Sequence, residues 1–169
     1  MISSARLVRG EHVVAHDSGE TLQRVLVAGS IVCVATLAAA ALRGRVDSGS
    51  AIAPINATSH IVFGSEAGNV DVPSLKHTML GVVINAGASV FWAAIYQRLF
   101  DRVGQRGGVS TSVAGGAAVA ALAYLVDYQL IPKRLTPGWE YRVSGRSLAM
   151  IFGAMAVSLP VRRVLERYR

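Results

Sequence analysis

The chain has 169 residues, 52% of them apolar and only 16% charged, with a mean hydropathy of +0.43 and a formal net charge of +7. A typical soluble domain carries about 25% charged residues, and a water-facing fold of this length has too little interior to hide so much apolar surface. The basic side chains sit at the ends of apolar runs without interleaved aromatics, which excludes nucleic acid as a partner, and the single cysteine, Cys33, excludes an intramolecular disulfide and a cysteine-based metal cluster.

Residues 1–24 read as a cytoplasmic N-terminal tail. His12 and His16 share a helix face at i, i+4, but Glu11 precedes the first histidine, so the metalloprotease pattern is absent and no metal is expected. The first apolar run, 25–42, is longer than a signal-peptide h-region, and the residues before it include Glu11, Asp17 and Glu20, so it is expected to be a retained span. Further apolar runs follow at 78–97, 112–131 and 147–161. The first three are 18 to 20 residues long with at most one ionisable side chain each, which matches a hydrocarbon core roughly 30 Å thick. The expectation is an all-α integral membrane bundle of four transmembrane helices, occupying 25–161 as one domain with the lipid bilayer as its solvent.

Between the first two spans, Pro54 stands where a first-turn helix residue belongs, and a short re-entrant or interfacial helix is expected at about 53–63. Asn56 and His60 would lie one above the other on it. Asn56-Ala-Thr58 also matches a glycosylation acceptor. The second span holds Asn85 near mid-depth and ends in Phe91, Trp92 and Tyr96, which suit a membrane boundary. Gly115, Gly116 and Ala120 form a small-residue stripe on the third, with Tyr124, Asp127 and Tyr128 near its end. The fourth run has only 15 residues and must tilt little, thin the bilayer or let Arg162 and Arg163 snorkel; it carries the small pair Ala149 and Gly153. A basic juxtamembrane tail, 162–169, would rest on anionic lipid. With both termini on one side, that side carries ten Lys and Arg against seven on the other, so the positive-inside rule favours cytoplasmic termini.

This topology gathers polar residues at the non-cytoplasmic face. At 1.5 Å rise per residue Asp127 lies about 6 Å below the boundary and Asn85 about 10 Å, with His77 at the lip and His60 above the mouth. Two readings stay open for Asp127. Either it lines a small polar cavity that binds a cation, proton or polar ligand with His77, Asn85 and His60, or it pairs with His77, Lys133, Arg134 or a tyrosine hydroxyl and locks the loops to the bundle. A bis-histidine haem does not fit, because His60 and His77 both lie near one surface. No phosphate loop, nucleophile elbow or zinc spacing occurs, so neither catalysis nor a cofactor is expected. The first expectation for function is a non-enzymatic accessory or scaffold protein that meets itself or a larger membrane complex through Gly115, Gly116, Ala120, Ala149 and Gly153. The alternative is a minimal carrier or ion-handling protein built around Asp127, His77, Asn85 and His60.

At Ala53-Pro-Ile-Asn-Ala-Thr-Ser-His60, at His77-Thr78 with Phe91-Trp-Ala93, and at Pro132-Lys-Arg-Leu-Thr-Pro-Gly-Trp-Glu140, the chain is similar to a group of small bacterial inner-membrane proteins of unknown function. The similarity covers most of 51–148, and more remotely the chain resembles the YagU-like inner-membrane proteins. What the resemblance implies is a bacterial inner-membrane location and a compact helical bundle; it brings no activity or catalytic residues. Some members carry histidine near the level of Asn85, and its replacement here speaks against a buried metal site.

Overall fold

The computed structural model describes residues 4–168, with side chains described for 19–100 and 107–168; the pair His12 and His16 lies outside the described side chains. The fold is all-α, and no strand occurs among the described residues. Helix α1 is Ser4–Ser48, the short α2 and α3 are Ala53–Ala57 and His60–Phe63, and α4 is His77–Leu125. Helices α5 and α6, Gly145–Ser158 and Val161–Glu166, follow. Helix α4 is broken at Gly108, whose φ of 83° and ψ of −169° belong to a region that only glycine enters without strain. The break makes two arms that fold back on each other: Tyr96 Oη donates to Ser112 O at 3.1 Å, and the Tyr96 ring stacks on Phe100.

Among the described residues four stretches are long and apolar enough to cross a membrane: Gly19–Ser48, His77–Phe100, Gly107–Leu130 and Gly145–Glu166. The fourth gains its length by running through Pro160 into α6, which adds a turn bearing Arg162 and Arg163 to the short apolar run. Helices α1, α4 and α5 pack on one another around Val32, Trp92, Ala93, Val119, Ile151 and Met155.

Side-chain polarity is distributed as hydrocarbon demands. Large apolar side chains face outward along every span, with Val34 68%, Val83 61%, Leu125 50% and Val157 62% exposed, while Thr36, Asn85, Ser89, Gln97, Ser112 and Ser158 are buried. A water-soluble bundle of amphipathic helices has the opposite pattern, because its apolar stripe faces the core and its polar face the solvent. The chain is therefore a multi-pass membrane protein.

With lipid outside, contact between helices depends on close fit and a few internal hydrogen bonds. A Cβ on Gly29 would come within 2.7 Å of the Val90 backbone, and one on Gly116 within 2.2 Å of Ala156 O, so these glycines let α1 and α5 approach the two arms of α4. Asn85 Nδ2 donates to Thr36 Oγ1 at 3.1 Å and lies 3.5 Å from both the carbonyl oxygen and the sulfur of Cys33, which joins α1 to the first arm. Gln97 Nε2 donates to Arg24 O at 2.9 Å further along the same seam.

Candidate functional site

At one end of the bundle the segments 49–76 and 131–144 fold together into a roof. Ser50 Oγ accepts from the backbone N–H groups of Ile52 and Ala53 and donates to Asp71 O, which starts α2 and ties it to the end of its own loop. Pro54 sits in the first turn, where its missing N–H costs nothing. The element expected at 53–63 is two short helices, α2 and α3, followed by a 3₁₀ turn over Gly64–Asn69.

Asn56 is fully buried. Its Nδ2 donates to Val70 O at 2.8 Å and Val72 O at 2.9 Å, and its Oδ1 accepts from Thr78 Oγ1 at 2.6 Å, so the amide holds the loop onto the start of α4 and is closed to glycosylation. Ser59 Oγ donates to Asn56 O and meets His77 Nδ1 at 2.9 Å. His60, 3% exposed, faces two carbonyls: Nδ1 is 2.9 Å from Ala57 O and Nε2 is 3.3 Å from Lys133 O. Its ring also meets Tyr141 edge to face. Gly138, at φ 82°, sits so close that a Cβ would lie 2.5 Å from Ala57 O and 2.7 Å from His60 Nδ1. Arg142 pairs with Asp71, and Ser144 N donates to Asp47 Oδ2 at 2.8 Å, which completes the seam between the two loops and α1.

Beneath the roof lies a cavity of about 100 Å³. Its polar wall consists of Thr36, Thr58, Asn85, Ser89 and Asp127, and its aromatic wall of Trp92, Trp139 and Phe152. Leu135, Pro137 and Ile61 close it from above, and Ile84, Ile151 and Met155 complete the floor. Asp127 belongs to a π-helical turn, Val126–Leu130, that ends the second arm of α4, and such wide turns re-aim side chains at functional positions. Among the described residues its carboxylate has no hydrogen bond and no ion pair. Thr36 Oγ1 accepts from Asn85 Nδ2 at 3.1 Å and gives its one proton to Val32 O at 2.9 Å, so Asn85 Oδ1 receives no donor, and Thr58 turns its hydroxyl to Pro54 O. Ser89 makes no hydrogen bond among the described residues. Asp127, Ser89 and the Asn85 amide oxygen are thus the lining oxygens without a protein donor, and Trp139 Nε1 is a buried donor without an acceptor.

The structure brings Asp127 and Asn85 to one cavity, as lining group and helix link respectively. His60 and His77 do not line it and instead fasten the roof. Among the described residues no three His, Cys, Asp or Glu side chains converge as a metal site. The small residues divide as well. Gly115 lies against the Phe100 ring, Gly116 against Ala156 and Pro160, and Ala120 is in the core, so all three pack within the chain. Ala149 and Gly153 face outward, where with Ala117, Ala121 and Tyr124 they line a shallow groove between the second arm of α4 and α5.

Both tryptophans of the chain are in the cavity wall, and sequence reading placed Trp92 only at a membrane boundary. A signal was present: Asn85, Ser89 and Trp92 fall at i, i+4 and i+7, one face of a helix. Nothing comparable marked Trp139, which reaches the wall through the fold of its loop. Comparison with family models, curated proteins and solved structures returns no match for this chain.

Proposed function

We propose that this is a non-enzymatic component of the bacterial inner membrane that binds a small cation or a proton in the roofed cavity, entered from the side opposite its two termini. The supporting observation is the Asp127 carboxylate, set in the cavity wall with no hydrogen bond or ion pair among the described residues. An ionised group inside a membrane bundle costs free energy unless compensated, so the cavity favours an occupant with positive charge. The ten-to-seven excess of Lys and Arg on the side of the termini supports a cytoplasmic location for both. The inner membrane of a bacterium rests on the resemblance alone.

Thermal unfolding in detergent with and without added monovalent cations tests this reading. An occupant at one hundred times its dissociation constant stabilises the native state by about 2.7 kcal/mol. That increment should fall by about half or more in Asp127→Asn, which keeps the volume and removes the charge. A full cation-dependent shift in the variant, or none in the native protein across monovalent cations and pH, overturns the proposal.

The accessory or scaffold reading keeps one specific support, the outward groove at Ala149 and Gly153. Gly153→Leu fills open space there, since nothing lies within 4 Å of its would-be Cβ. On this second reading the variant stays folded while its oligomeric mass or co-purifying partner is lost; an unchanged assembly removes the reading.

A further inference from the structure

Resting on the cation-binding reading, we infer that the cavity is a cage for a small methylated ammonium ion, with Asp127 as counter-charge and Trp92, Trp139 and Phe152 as its walls. The chemistry of the lining separates this class from bare metal ions. Hard cations take about six or more oxygen ligands, and here the Asp127 carboxylate, the Ser89 hydroxyl and the Asn85 amide oxygen supply fewer, while the buried, unpartnered Trp139 Nε1 is a donor and no ligand for a cation. Most of the remaining wall is carbon.

An alkylammonium matches both halves of that wall. Its positive charge is spread over methyl groups that gain from aromatic faces and aliphatic contacts, and a single carboxylate neutralises it without a coordination shell. Phe152 is held in position by edge contacts to Tyr124, Tyr128 and Trp139, with ring centroids 5.5 to 6.0 Å apart, which fixes one wall of the cage. Trp92 is held in turn by Phe91 at 5.1 Å. Size sets the upper limit. An apolar cavity of about 150 Å³ takes benzene, and tetramethylammonium is no smaller than benzene, so 100 Å³ admits an ion of about three heavy atoms, the size of dimethylammonium.

The chain supplies its own reporter, because its only two tryptophans are both in the wall. The experiment is a fluorescence titration of the full chain in detergent, in amine-free buffer, with dimethylammonium chloride. The expected result is a saturable change that ethanol, a neutral molecule of similar size, matches only at concentrations about tenfold higher or more. Asp127→Asn and Trp92→Leu should each weaken the ammonium by about tenfold, whereas Trp92→Phe, which keeps an aromatic face, should stay within about threefold of the native protein. Helicity by circular dichroism accompanies each variant, and Trp139→Leu replaces Trp92→Leu if the latter does not fold.

Equal affinity for ethanol and the methylated ammonium, or equal affinity in Trp92→Leu and Trp92→Phe, overturns the cage. An Asp127-dependent response to potassium, ammonium or protons with none to dimethylammonium also overturns it and leaves the cation-binding reading standing. Silence toward all of these removes both.

Discussion

The two ends of the bundle are held together by different forces. At the roof, side chains are spent on backbone groups: Asn56 on Val70 and Val72, His60 on Ala57 and Lys133, Ser50 on the start of α2. At the opposite end, close packing of small residues stands out among the described residues. Gly115 lies against Phe100 and Gly116 against Ala156, beside the links of Tyr96 Oη to Ser112 O, Gln97 Nε2 to Arg24 O and Arg163 Nη1 to Phe100 O at 3.2 Å. The contrast shows what each end must accomplish. Two loops containing irregular backbone can cover a cavity at membrane level only if their backbone groups are satisfied internally, even though the side-chain atoms Trp139 Nε1, Glu140 Oε2 and Arg142 Nε stay buried without a partner, whereas helices that meet directly depend on fit.

The largest expected effect is at the steric end. Gly116→Leu forces a side chain into the Ala156 backbone, and no rotamer avoids it, so thermal unfolding in detergent should record a loss of about 3 kcal/mol or more. Retained stability would mean that α5 can back away from the second arm without penalty.

Next comes the roof. Gly138→Ala should cost about 2 to 3 kcal/mol, since it adds the left-handed penalty to a close contact with Ala57 O and His60. Hydrogen exchange of segment 131–144 should rise in this variant while that of the spans stays near native. If the spans loosen equally, roof and bundle are one cooperative unit and the division between the ends fails.

The smallest effect belongs to Asn85→Leu. Hydrogen bonds between membrane helices are worth about 0.6 kcal/mol on average, and a leucine restores part of the lost contact, so the change should stay below about 1 kcal/mol. A loss several times larger would assign the Asn85, Thr36 and Cys33 cluster a share of stability that a single interhelical link does not carry.

Much of the membrane frame was legible before the structure, because a helix crossing hydrocarbon leaves its length and composition in the sequence. The fourth span was harder. Its apolar run stops at Val161, and the extra turn comes from α6, where basic side chains sit on a helix that Pro160 bends without ending. The site was half legible. Asp127 and Asn85 occupy known depths on spans, and helical rise alone brings them to one level. The histidines stand on irregular backbone, whose path is set by Asn56, Ser59 and Gly138 rather than by any period, so their turn toward Ser59 and Lys133 O left no pattern to read. The same holds for Trp139, three residues after Thr136 in a loop without repeat. The stripe at Gly115, Gly116 and Ala120 was plain in the sequence, yet small residues do not say whether the neighbour they admit is the same chain or another.

The break at Gly108 bears on how the protein is made. A pair of antiparallel spans joined at a glycine, with no coil between them and the arms in contact through Tyr96 and Ser112, can enter lipid as one hairpin. On the proposed orientation the segments 49–76 and 131–144 lie on the far side of the bilayer from that hairpin's turn.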